Sequence, residues 1–261
     1  MNIAIIISKS VADQNIKKHL NFEKFKNLKI YNINEESIYC ENLDLKINAD
    51  LFVFATKHKS KSEIPSLTCH TPGNWGSADF GGENNKLCKS PAFYLKQFYL
   101  ELKKYEKKID STITLEVTHH GPYLEKPCMF VEIGSSEKQW NDDKFGEIIA
   151  SCIKKTFVKN FKTIETCILL GGTHYNSAAN KIMERTDLAV GHICPKHSLK
   201  FLNERLLKEA IEKTIPKANL ILLDWKGLGK YKKKINKLIK KVNVKSERVK
   251  NILKTNPKVN S

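Results

Sequence analysis

The sequence has no CxxC pair, no HExxH string and no apolar run long enough to cross a bilayer. Each absence removes a class of reading. Seven cysteines, an odd number without paired spacing, argue against a disulfide framework and fit a reducing cytoplasm. Without HExxH or a cysteine-rich spacing, a metal centre has to be assembled from dispersed residues. The first apolar run, IAIIIS at 3–8, is far shorter than the roughly 20 residues a bilayer requires and has neither a basic flank nor a small-residue cleavage site. It reads as a strand that starts a fold. There is no internal repeat, and no RRM or KH motif marks an RNA-binding module.

Acid is scarce where base is abundant. Across the chain, 45 Lys+Arg against 28 Asp+Glu give a net +17. From Lys226 to Ser261, 13 basic residues face a single acid, Glu247, which puts +12 in that segment. Heat-adapted composition raises glutamate along with lysine, and this tail raises lysine without it. A polyanion partner explains it better. Nucleic acid stands ahead of membrane because the tail has no bulky apolar face.

Apolar runs of strand length recur at 3–8, 51–56, 66–70, 112–117, 129–134, 167–172, 188–193 and 220–224. Several are apolar on both alternating faces, as strands covered by helices on both sides must be. Between them, 92–108, 136–158 and 198–213 carry apolar residues at helical spacing, the second opening on Ser135-Ser136-Glu137 as an N-cap. The alternation predicts an α/β fold, three-layer αβα, with a mostly parallel mixed sheet. It predicts an α/β catalytic domain over 1–225 and a lysine-rich helical C-terminal appendage over 226–261. Residues 71–88, TPGNWGSADFGGENNKLC, are too polar and glycine-rich for either element. A loop of that length inside a domain is functional or disordered, and Trp75 and Phe80 argue for function.

Histidines recur at one structural position. His70 follows SLTC, His119 and His120 follow TITLEVT, His174 follows CILLGGT, and His192 sits in LAVGHI. The ends of strands border the crevice where open α/β sheets bind ligands, so these side chains are expected to converge. Glu116 and His120 share a strand face, with His119 on the other unless the chain has turned. Glu132, in MFVEIG, is a carboxylate between apolar neighbours and needs a partner. Imidazoles with carboxylates form the ligand set of a catalytic zinc. A lone histidine is more often a hydrogen-bonded structural residue, and a lysine or backbone amides would also satisfy Glu132, so spacing leaves the metal open. Lys57, His58, Lys59, Lys61 and Ser62 read either as a phosphate-binding loop or as a solvated charge run.

The segments FVFATKHKSKSEIPSLTCHTPGNWGSADFGG, LEVTHHGP, MFVEIGSSEKQW, LLGGTHY and VGHI resemble the archaeal-type D-aminoacyl-tRNA deacylases, in that family's order over most of residues 1–195. The lysine-rich end carries no motif of the family. Two departures are mild: GGTHY lacks a third small residue before its histidine, and Cys69 interrupts LTxHTPGN. The resemblance implies hydrolysis of the ester between a D-amino acid and the 3′ end of tRNA, with zinc dependence and broad tolerance of the amino acid. It also implies a fold similar to the phosphorylase and peptidyl-tRNA hydrolase group. The motifs fall on His70, Asn74, Trp75, Glu116, His119, His120, Glu132, His174 and His192. We expect metal ligands among His70, His119, His120, His174 and His192, and catalysis from Glu132, Glu116, His120 and Asn74. Substrate contacts are expected from Trp75, Gly73, Lys57, His58 and Lys59. The partner would be the acceptor end of D-aminoacyl-tRNA, with the protein a cytoplasmic monomer and no membrane involved. Rival readings are a metal-independent hydrolase of peptidyl-tRNA type and a non-catalytic RNA-binding protein.

Overall fold

Strands apolar on both faces require cover on both sides, and a computed structural model of the chain supplies it. It describes residues 1–23, 25–60, 63–158 and 162–255; Lys61 and Ser62 of the expected phosphate loop, and 256–261 of the basic segment, lie outside the described residues. The first part of the chain runs β1 (Ile3–Ile7), α1 (Val11–Lys18), β2 (Leu28–Asn32), α2 (Leu43–Lys46), β3 (Leu51–Lys59) and β4 (Ser66–His70). A two-residue pair follows, β5 (Gly73–Asn74) with β6 (Lys86–Leu87), then α3 (Ala92–Lys103), β7 (Thr112–Leu115), β8 (Cys128–Ser135), α4 (Glu137–Asn141) and α5 (Asp143–Phe157). The remainder is β9 (Thr166–Leu170), α6 (Ser177–Arg185), β10 (Ala189–Cys194), α7 (Glu204–Lys213), β11 (Leu220–Leu223), α8 (Lys232–Ile239), β12 (Lys245–Arg248) and α9 (Val249–Thr255).

The class is α/β with a mixed, mostly parallel arrangement, as the alternation of elements predicts. The strands are divided between two sheets. One has six strands in the order β2-β1-β3-β8-β4-β7, parallel throughout except where β4 meets β8. The other has four parallel strands in the order β10-β9-β11-β12. One apolar core spans both, with Ile5, Val53 and Val131 of the first sheet and Leu169, Val190 and Leu222 of the second packed around α3, α5 and α6. Tyr99, Phe98 and Phe157 are its largest fully buried helical side chains, each contributing on the order of 2–3 kcal/mol by taking apolar surface out of water.

Two expectations change in detail. The helical stretch at 136–158 is interrupted at Asp142, whose carboxylate accepts from the Lys144 amide at 3.0 Å and starts α5. The basic segment expected to be a helical appendage also contributes a strand: β12 pairs in register with β11, Leu220 opposite Lys245 through Leu223 opposite Arg248. Its apolar residues Ile235, Leu238 and Ile239 pack with Leu199 and Leu202 of the second sheet's core. Lys234 Nζ donates to the carbonyls of Leu199 and Lys200 at 2.8 and 2.7 Å, which ties α8 to the turn after β10.

Candidate active site

Register alone puts five polar side chains on one face. Thr56 of β3 and Thr68 of β4 both lie opposite Glu132 of β8, while His58 lies opposite Gly134 and His70 opposite Phe130. Residues two apart along a strand share a face, so His58, Glu132 and His70 point the same way. Glu132 Oε2 accepts from the Thr68 hydroxyl at 3.3 Å and lies 3.6 Å from His70 Nε2 and 3.7 Å from His58 Nδ1.

The second group comes from the seam between the sheets. Beyond β7 the chain borrows hydrogen bonds from the second sheet: the Val117 amide donates to His174 O at 3.1 Å and the Thr118 amide to Ile193 O at 3.0 Å. Glu116 is thereby sealed, its carboxylate fully buried. His174 Nε2–H donates to Glu116 Oε2 at 2.8 Å, His58 Nδ1 lies 3.1 Å from Oε1, and His119 Nε2 lies 3.5 Å from Oε2.

The two adjacent imidazoles of LEVTHHGP then turn inward together. His119 Nδ1–H donates to Val117 O at 2.8 Å and His120 Nδ1–H to Gly121 O at 2.6 Å. Those bonds leave both Nε2 atoms as lone-pair donors, the arrangement that orients metal-ligating histidines. His70 is buried, with neither ring nitrogen hydrogen-bonded, a costly state for a polar group without a further partner. Its ring centroid is 4.3 Å from that of His119 and 4.8 Å from that of His120. One ligating atom from each of the three lies within 4.8 Å of the others. His58, Glu116 and His174 form a second such group, and His70, Glu116 and Glu132 a third.

Electrostatics separates these groups. Burial, reinforced by His70, pushes His120 down to about 4, and burial with His120 holds His119 well below the usual imidazole value. Both are therefore neutral near pH 7, the state that ligates. Burial opposes protonation of His58, but the Glu132 and Glu116 carboxylates outweigh it and raise that imidazole to about 9. Burial also works against charge on the two carboxylates. The His174 hydrogen bond nonetheless brings Glu116 down to about 2, and His58 and His70 hold Glu132 low.

These side chains open onto a cavity of about 1400 Å³ whose wall includes Asn74, Trp75, His119, His120, Glu132 and His174. The 71–88 loop forms one side of it and is strapped to the histidine turn. Gly73 N donates to His120 O at 2.8 Å, Gly121 N donates to Phe80 O at 2.9 Å, and Asn74 Nδ2 donates to Gly81 O at 2.8 Å. Gly81 has φ +75°, and a Cβ there would lie 1.9 Å from Ile38 O. Only glycine meets both demands.

A protein-family model described as D-aminoacyl-tRNA deacylase matches residues 45–247. This chain belongs to the D-aminoacyl-tRNA deacylase family. It is 39% identical over 206 residues to a D-aminoacyl-tRNA deacylase of Thermococcus onnurineus, covering 76% of this chain and 75% of the relative. It is 34% identical over 274 residues to one from Methanosarcina mazei, covering 93% and 91%. A crystal structure of a conserved protein of unknown function superposes with a TM-score of 0.91 at 29% identity, covering 99% of each chain. The family is one of hydrolases acting on aminoacyl-tRNA esters, so the reaction class is that of an enzyme.

Within this deacylase framework the structure brings together His70, His119, His120, His174, Glu116 and Glu132 of the expected set. It does not bring His192 to them. That residue lies inside β10, its Nδ1 3.3 Å from Thr118 Oγ1, and it belongs to none of the ligand-spaced groups among the described residues. Burial drives it down to about 3, and Trp75 packs edge-on to it at 6.3 Å. The strand period left His119 on the face away from Glu116 unless the chain had turned. The chain has already turned there, with His120 at φ +45°, so both rings face inward. His58 is not on a solvated loop but at the buried end of β3, between two carboxylates. Lys57 and Lys59 stand at the cavity mouth, Lys57 paired with Glu36 at 3.0 Å. Tyr175 was not singled out by its sequence; its hydroxyl meets Ser66 Oγ at 3.1 Å behind His58 and His174.

Proposed function

We propose that the protein hydrolyses the ester joining a D-amino acid to the terminal ribose of tRNA, with zinc bound by His70, His119 and His120. The observation that carries this reading is His70, buried with neither ring nitrogen hydrogen-bonded and facing two imidazoles whose Nδ1 atoms are already committed. Burial holds His119 and His120 neutral, and Glu132 favours a proton on His70 that metal binding would release; three imidazole nitrogens that leave an open position are the donor set of a catalytic zinc. The chemistry such a metal supplies is a water whose pKa falls to about 7, which makes hydroxide available as nucleophile.

The residues divide the remaining work. Glu132 lines the cavity whereas Glu116 does not, so Glu132 is the carboxylate suited to take the water's proton. Glu116 positions His174, His58 and His119 through the hydrogen bonds and close approaches above. The 73–82 loop offers backbone amides to the ester oxygen, and Asn74 holds that loop through Gly81. Trp75 is fixed by its Nε1 hydrogen bond to Ile193 O at 3.2 Å and gives a rigid wall; an L side chain would meet it, and a D side chain would turn away. A cavity of about 1400 Å³ exceeds the usual range for one small ligand and suits tolerance of many side chains.

The basic segment supports a tRNA substrate. Through Lys234, α8 rests on the turn that supplies His197, Ser198 and Phe201 to the cavity. Phosphates following α8 would thus arrive at the cavity mouth, where Lys57 and Lys59 stand. No helix among the described residues is long and apolar enough to cross a membrane. On this reading the protein is a cytoplasmic monomer, and its seven buried free thiols stay reduced there.

The test is deacylation of tRNA charged with D- or L-tyrosine, run beside metal analysis of the purified protein. Release of D-tyrosine far ahead of L-tyrosine, with stoichiometric zinc lost in His70→Ala, is expected. Full activity after exhaustive chelation would overturn the metal assignment. Binding of charged tRNA without release of either amino acid would overturn the reaction.

A further inference from the structure

Three aromatic rings are left in water. Tyr39, Phe80 and Phe201 are 49%, 63% and 42% exposed, and they are the exposed aromatic side chains among the described residues. All three line the mouth of the same cavity. A scattered surface aromatic needs no explanation, but grouping around one opening does. They arrive from separate parts of the chain: the 3-10 turn at Ser37–Tyr39, the 71–88 loop, and the turn after β10.

The backbone that carries each ring is hydrogen-bonded in place. The Tyr39 amide donates to Glu36 O at 2.9 Å, and the Phe201 amide donates to Ser198 O at 3.0 Å. Phe80 O accepts from Gly121 N at 2.9 Å, which ties that ring's backbone to the histidine turn. Two glycines admit the neighbouring rings: a Cβ on Gly76 would lie 2.7 Å from the Phe201 ring, and one on Gly81 3.2 Å from the Tyr39 ring. Lysines stand beside them, with Lys200 Nζ 4.6 Å from the Phe201 centroid and Lys57 and Lys59 at the same mouth. Aromatic faces alternating with cations are what single-stranded nucleic acid requires, bases on the rings and phosphates on the lysines.

We propose that Tyr39, Phe80 and Phe201 form a stacking rim that grips the unpaired bases at the 3′ end of the tRNA. This rests on the reading of the cavity as a deacylase site, and it assigns the part of the substrate that lies outside the reacting ester. The terminal nucleotide has to lie next to the ester. Bases stacked at the mouth would therefore deliver the ester into the cavity whatever amino acid it carries.

The probe is a short RNA ending in CCA with 2-aminopurine as its last base, whose fluorescence falls on stacking. The parent is expected to quench it. Tyr39→Ala, Phe80→Ala and Phe201→Ala should each weaken binding by about tenfold or more and reduce the quench. Phe80→Trp should restore both, whereas Phe80→Leu, apolar but without a π face, should not. In deacylation, the alanine variants should raise KM for D-tyrosyl-tRNA with kcat retained. Leu45→Ala, at a residue 82% exposed and not on the cavity lining, serves as control. Alanine variants that bind the RNA as the parent does, or a leucine that replaces Phe80 without loss, would overturn the rim. A parent that binds and quenches through these rings but releases no D-tyrosine would overturn the deacylase reading and leave the rim standing.

Discussion

Replacing Glu132 with glutamine tests the proton-transfer assignment with the least structural disturbance. The side chains are isosteric, and the site is a strand interior: Glu132 sits between Thr56 and Thr68 in register, buried, accepting from the Thr68 hydroxyl at 3.3 Å. An amide keeps that hydrogen bond through its oxygen but cannot accept the proton of an attacking water. A positioned general base contributes roughly 10²–10⁴ in rate, or about 3–5 kcal/mol of barrier, so kcat should fall by that factor with KM little changed. The fold should tolerate the change. The carboxylate's attraction to His58 and His70, 3.7 and 3.6 Å away, is lost, but the cost of burying that carboxylate goes with it and Glu116 still faces His58 at 3.1 Å, so Tm should fall without loss of the fold. Glu116→Gln should behave differently, because Glu116 touches imidazoles and does not line the cavity. Second partners of metal-ligating histidines typically account for 10- to 100-fold in affinity or activity, and that variant should lose zinc as well as rate. The assay is single-turnover deacylation of D-tyrosyl-tRNA, with zinc content and thermal melting measured on the same samples. Glu132→Gln retaining kcat within about threefold of the parent, folded and zinc-loaded, would refute the assignment.

His192→Ala should keep full zinc content while losing about 2–4 kcal/mol of stability from the cavity it leaves, read as metal stoichiometry against melting temperature; loss of zinc would restore His192 to the ligand set. Joint replacement of Lys230, Lys233 and Lys237, all exposed on the basic segment, should flatten the salt dependence of KM by about 0.9 in log–log slope for each phosphate no longer neutralised. An unchanged slope would put the tRNA on another face.

The parts of this site that could be read from sequence are those where a strand breaks its own rule. A carboxylate inside MFVEIG and a histidine ending SLTCH are costly in apolar runs, and both prove to be functional-looking groups on one sheet face. His192 broke the same rule for a different reason. In LAVGHI it meets Thr118 across the seam and Trp75 beside it, neighbours that no strand period can reveal. His58 was hidden by its lysine neighbours, which read as a solvated run although the strand continues through it to Lys59. The separation into two sheets and the strand at Lys245–Arg248 were illegible too. KSER has no apolar alternation and becomes a strand only because β11 offers an open edge.

The seam itself explains why two histidines stand side by side in LEVTHHGP. In a strand, neighbours point to opposite faces, so paired imidazoles could not share a ligand. Here the chain spends the amides of Val117 and Thr118 on the second sheet, and the strand ends at Leu115, two residues before its apolar run does. His120 then takes φ +45° and brings its ring centroid to 4.3 Å from that of His119. The same crossing seals Glu116 against His174 from the loop after β9. Ligand spacing, carboxylate burial and the docking of the two sheets are therefore one structural event. A substitution that loosens the seam should disturb metal, Glu116 and His174 together rather than one at a time.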